Sequence, residues 1–124
     1  YRAIVENAVE GICQTAPDGR FLSANPAMAK LYGYSSPAEM MATLTNIGEQ
    51  LYVQPGRWEE LQVYVQQSNS ISDLKSQVYR QDGTIIWVSE SIRSVRDADG
   101  TLLYYEGTAR DITEQKQTEA ELRL

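Results

Sequence analysis

The chain has 124 residues, 42% of them hydrophobic and 23% charged, the profile of one ordinary globular domain with room for a single core. Its net charge of −6 and its lack of any Lys/Arg cluster argue against nucleic acid as a partner. No apolar run is long enough to span a bilayer, and the single cysteine cannot form an internal disulfide, in keeping with a reducing, cytoplasmic setting.

Ile4, Val5, Ala8 and Val9 share one helical stripe, so residues 1–10 read as an N-terminal flanking helix. Residues 11–15 and 20–24 alternate as strands around Ala16-Pro17-Asp18-Gly19, a turn sequence. Cys13 lies within the first of these strands and reads as a small buried hydrophobe. Asn25-Pro26 then opens a helix as cap and first residue, with Gly33 as its terminator. Ser36-Pro37-Ala38-Glu39 repeats the pattern as a capping box before a second helix. The stretch 45–53 holds at most one helical turn. After Pro55-Gly56, Trp58, Leu61 and Val65 recur at helical spacing. Residues 67–70 read as a loop into a third strand at about residues 72–80.

The most informative stretch is QVYRQDGTIIWVSESIRSVRDADGTLLYYEGTARDIT, residues 77–113. Its β-rich runs are divided by Asp82-Gly83 and by Asp97-Ala98-Asp99-Gly100, which predicts two consecutive hairpins and three antiparallel strands. The charged segment EQKQTEAELRL follows as an exit helix at residues 114–124. Helices segregated between two groups of antiparallel strands define an α+β fold. The chain begins at Tyr1 and stops inside a helical pattern, so it reads as an excised piece of a longer protein.

Strand alternation assigns faces. Ile86, Val88, Glu90 and Ile92 share one face of the fourth strand; Leu103, Tyr105, Gly107 and Ala109 share one face of the fifth. These sets are the candidates for the helix-covered side. Gly107 there either leaves space or marks a bend or bulge. Glu90 is the one carboxylate in an apolar set and is expected to reach solvent at the strand end, the alternatives being a partner or a ligand. Asp111 and Glu114 have capping-box spacing, with Thr113 as a second cap candidate.

The segments GICQTAPDGRFLSANPAMAKLYGY, QVYRQDGTIIWV, VRDADGTLLYYEG and the terminal DIT together resemble a PAS domain of the S-box type, over essentially the whole chain. The resemblance implies a five-stranded antiparallel sheet of order 2-1-5-4-3, with short helices on one face around a small pocket. The core would be residues 11–113. Ile47, Trp58, Ile86, Val88, Glu90, Tyr105, Gly107 and Ala109 are the candidate pocket residues, and Asp111, Ile112 and Thr113 the relay into the output helix. The family's role is sensing and signal relay in larger proteins such as histidine kinases or nucleotide cyclases, with homodimers formed through flanking helices and sheet. A small-molecule ligand and an output domain in the same chain are the implied partners, with no membrane contact by this segment; a constitutive relay module without a ligand is the alternative.

The familiar cofactors of such relatives are disfavoured. Haem-binding members use a histidine, and this chain has none. Flavin-binding light sensors carry an Asn-Cys pair where this chain has Asn46-Ile47, and sheet amides where it has Val88 and Ala109. The cysteine that carries the chromophore of the yellow-protein relatives lies on a helix or loop, whereas Cys13 lies on a strand. Metal binding lacks histidine and clustered cysteines. The missing histidine also argues against a nucleophilic enzyme site, and no glycine pattern forms a phosphate loop. The domain itself is therefore expected to be non-catalytic.

Overall fold

In the computed structural model, residues 10–122 are described. The expected N-terminal helix, and the last two residues of the exit helix, lie outside the described residues. Strands β1 (Gly11–Thr15) and β2 (Phe21–Ala24) form the first hairpin. Four helices follow: α1 (Pro26–Leu31), α2 (Pro37–Thr43), α3 (Ile47–Gln50) and α4 (Arg57–Ser68). Strands β3 (Ser70–Tyr79), β4 (Ile85–Arg96) and β5 (Leu102–Asp111) complete an antiparallel sheet of order β2-β1-β5-β4-β3, as expected. Helix α5 (Thr113–Leu122) leaves the end of β5.

Local chemistry explains the boundaries. Asn25 Oδ1 accepts from Met28 N, capping α1, and also from Ile12 N, while its Nδ2 donates to Glu10 O. One buried amide thus ties the start of α1 to β1. Ser36 Oγ accepts from Glu39 N at 3.1 Å, as the capping box predicts, and Asn46 caps the single turn of α3. Between β3 and β4, Asp82 Oδ1 accepts from both Thr84 N and Thr84 Oγ1, and Gly83 supplies the left-handed residue at φ 85°.

Two boundaries differ from the sequence reading. No loop separates α4 from β3: Asn69 alone, at φ 64°, ends the helix, and the strand starts at Ser70. Asparagine tolerates the left-handed region better than most residues, so one position does the work of a loop. Leu103 is 49% exposed, not inward-facing, because the β4–β5 register shifts between Val95 and Arg96 and turns Leu103 out of the alternation.

The helices cover one face of the sheet. Met28, Met40, Leu61 and Val65 meet Val78, Val88 and Tyr105 in one continuous core. Full burial of a side chain such as Leu61 contributes about 2 kcal/mol. Alternation on β4 follows the reading: Ile86, Val88, Glu90 and Ile92 are all buried beneath the helices.

Candidate functional site: a buried carboxyl beside a small cavity

Glu90 does not reach solvent; it is 5% exposed. It sits mid-strand on β4, flanked by Leu74 on β3 and Ala109 on β5, so its side chain has no route to a sheet edge. The expectation of solvent is therefore corrected, and the partner is Tyr52, whose hydroxyl donates to Glu90 Oε1 at 2.9 Å. Tyr52 is held in place by a backbone bridge to Val78 on β3. The other carboxyl oxygen, Oε2, is buried with no hydrogen-bond partner among the described residues.

Beside Glu90 lies a cavity of about 30 Å³, room for about two water-sized groups. Of the eight sequence candidates, Ile47, Trp58, Glu90, Gly107 and Ala109 line it. Tyr105 stands behind the wall, its ring meeting Trp58 edge-on with centroids 5.8 Å apart. Ile86 and Val88 lie on the same buried face of β4 but outside the lining. Gly107 keeps regular register with both Cys13 and Ile92, so it marks no bulge. A Cβ there would sit 3.4 Å from Cys13 Sγ, so its missing side chain leaves space beside the cavity.

The sequence reading passed over Tyr32, Tyr52, Leu51 and Thr15, which complete the wall with Cys13, Met28, Ile92 and Thr108. Tyr52 falls in the stretch 45–53, which carries no periodicity to reveal its direction. Tyr32 follows the last residue of α1, where helical spacing no longer applies. Tyr52 and Trp58 stack with planes 15° apart and centroids at 6.4 Å.

The electrostatics follow from burial. Desolvation raises the Glu90 carboxyl from 4.5 to about 7, against the opposing pull of the Tyr52 and Ser76 hydroxyls and the more distant Arg57 guanidinium. Neither Ser76 nor Arg57 closes a hydrogen bond on Oε2; Arg57 is engaged with Ser76 Oγ and Glu60. Burial first, and then the charge of Glu90, pushes the Cys13 thiol up to about 12. The same two causes raise the Tyr32 and Tyr52 phenols. The thiol and the two phenols are therefore poor acids and poor nucleophiles at neutral pH.

At the far end of β5 the chain crosses to β4. Ile112 N donates to Trp87 O at 2.9 Å, and Trp87 N donates to Thr113 Oγ1 at 3.1 Å. Asp111 Oδ1 accepts from Thr113 N at 2.8 Å, one residue earlier than a capping box requires, and the Thr113 hydroxyl serves Trp87 instead of capping the helix. Lys116 Nζ lies 4.7 Å from the centroid of the Trp87 ring. Trp87 is thus the anchor for the first turn of α5, whose side chains are otherwise unburied.

The PAS fold family model matches residues 1–112. The chain belongs to the PAS family. Among curated proteins, it is 28% identical over 127 residues to the probable diguanylate cyclase DgcE of Escherichia coli K12, covering 96% of this chain but only 11% of that protein. A domain of a sensory box sensor histidine kinase/response regulator from Geobacter sulfurreducens is 26% identical, with a TM-score of 0.70 and 90% of each chain covered. An RNA-binding light-oxygen-voltage receptor shares the fold at a TM-score of 0.78 and 24% identity, over 98% of this chain and 35% of that one. This PAS domain is therefore similar to the sensory modules of signalling proteins. No helix among the described residues is long and apolar enough to cross a membrane.

Proposed function

We propose that this PAS domain is the sensing and relay segment of a larger cytoplasmic signalling protein, with a catalytic output domain of the kinase or cyclase type elsewhere in the chain. The observation that carries the reading is the position of β4. Its inner face presents Glu90 to the cavity, and three residues earlier its outer face holds the exit helix through Trp87. A ligand that changes the hydrogen bonding or charge of Glu90 shifts the strand between two settings, and Asp111, Ile112 and Thr113 pass that shift to α5. Two copies of the domain, joined through flanking helices and sheet, turn the shift into a change in the output domains.

A second reading is a constitutive dimerisation and relay module. The small size of the cavity and its enclosure by Tyr32, Tyr52 and Trp58 favour it. Native mass spectrometry of the purified domain separates the two. A reproducible extra mass supports the sensor, and a bare dimer supports the constitutive module. A bare monomer that stays monomeric with longer flanking segments contradicts the dimeric mechanism in both.

A further inference from the structure

We propose that the cavity beside Glu90 is a binding site for a small primary ammonium ion, paired with the free carboxyl oxygen and walled by Tyr32, Tyr52 and Trp58. The proposal rests on the reading of the cavity as a ligand pocket and adds the class of ligand. Glu90 is more than nine-tenths buried, its Oε1 is taken by Tyr52, and its Oε2 has no partner among the described residues. No Lys or Arg among the described residues lines the cavity. Arg57, the cation that acts on Glu90 among the described residues, is committed to Ser76, Glu60 and the Lys75 carbonyl. A carboxylate buried without a counter-charge is costly, and a neutral hydroxyl would satisfy its lone pair but not its charge.

The walls suit a cation. Three aromatic rings bound the space, and ring faces attract positive charge most strongly where water is excluded. Met28, Ile47 and Leu51 add an apolar stretch that accepts a short alkyl tail, beside the hydroxyl-bearing Thr15 and Thr108 and the unpartnered Trp58 Nε1 among the described residues. The volume of about 30 Å³ admits about two or three heavy atoms, which excludes guanidinium compounds, quaternary amines and free amino acids. A divalent metal ion is excluded by ligand count: among the described residues no group of three His, Cys, Asp or Glu converges.

The test is calorimetric titration of the 124-residue chain with ethylammonium chloride and, separately, with ethanol, which has the same number of heavy atoms and no charge. Ethylammonium is expected to bind at least about tenfold more tightly, as an ion pair formed out of water requires. Glu90→Gln should abolish its binding. In the wild-type chain the affinity should rise about tenfold per pH unit up to the Glu90 titration near 7 and then level off. The titratable groups around Glu90 from β1 (Cys13), the segment after α1 (Tyr32) and the segment after α3 (Tyr52) stay neutral over that range, with their ionisations pushed up by burial. Arg57 of α4 faces the carboxyl from the far side of Ser76, and Tyr105 of β5 packs against Trp58. Ethanol binding as tightly as ethylammonium, or a flat pH profile, would overturn the ammonium assignment and leave the ligand pocket standing. No binding of either, with the amide resonances of Cys13, Glu90 and Gly107 unmoved, would overturn the pocket as well and favour the self-filled relay.

Discussion

Trp87 and Thr113 are joined by a 3.1 Å hydrogen bond from the strand amide to the threonine hydroxyl, which fastens the root of α5 to the strand that carries Glu90. Side chains on a strand alternate between faces, so β4 addresses the cavity with Glu90 and the exit helix with Trp87 without any intervening element. The predictions follow from these two ends of one strand.

The first concerns stability against pH. The carboxyl of Glu90 is raised from 4.5 to about 7 in the folded chain, so the folded state binds more protons than the unfolded state between those values. Stability from this group is fully present below 4.5 and is lost as pH rises through 7. The loss is about 3 kcal/mol. Glu90→Gln should remove this component. Urea unfolding of both chains at about pH 5 and about pH 8 reads the difference directly. Parallel pH profiles in the two proteins would count against a buried titrating carboxyl.

Tyr52→Phe removes the one side-chain hydrogen-bond donor to the Glu90 carboxyl among the described residues. The substitution should cost about 1–3 kcal/mol, since it leaves a second buried carboxyl oxygen unsatisfied. It should also raise the Glu90 titration further, because the lost bond favoured the ionised form. Unfolding free energy and the carbon-13 shift of the Glu90 carboxyl check the two effects together.

At the exit, Asp111→Ala removes the acceptor of Thr113 N, and Thr113→Val removes the acceptor of Trp87 N. Each should loosen the first turn of α5 by about 1 kcal/mol. Amide hydrogen exchange at Thr113 to Lys116, and at Trp87, should quicken accordingly. Unchanged exchange would mean that Lys116 packing on Trp87 holds the helix by itself.

Gly107→Ala adds a methyl group 3.4 Å from Cys13 Sγ, an ordinary contact at a position of regular β geometry. The fold should be unharmed and even gain about 0.5 kcal/mol from the lower entropy of the unfolded chain. Binding in the adjacent cavity should weaken. A thermal unfolding curve and a ligand titration on the same preparation separate the two consequences.

The strands and the inward face of β4 were legible because alternation and Asp-Gly turns are local signals, whereas the strand order followed only from the resemblance to PAS domains. The caps at Asn25 and Ser36 were legible for the same reason. What escaped depends on contacts distant in sequence. Glu90 is buried because β3 and β5 flank it and Tyr52, 38 residues earlier, reaches it. Its own strand carries no trace of that partner. The role of Thr113 was hidden likewise: its hydroxyl looked available as a helix cap, and only strand pairing brings Trp87 N to it. Leu103 was misread because a register shift of one residue reverses a face without changing composition.

The most direct test of the link between pocket and output follows the backbone amides of Trp87, Ile112, Thr113 and Lys116 by nuclear magnetic resonance across a pH titration. The chain has no histidine, so no imidazole confuses the neutral range. If β4 couples the two sites, these amides shift with one midpoint near 7, that of Glu90, and the shift vanishes in Glu90→Gln. If the Glu90 carboxyl titrates while the four amides stay still, the cavity and the exit helix are uncoupled and the relay mechanism fails.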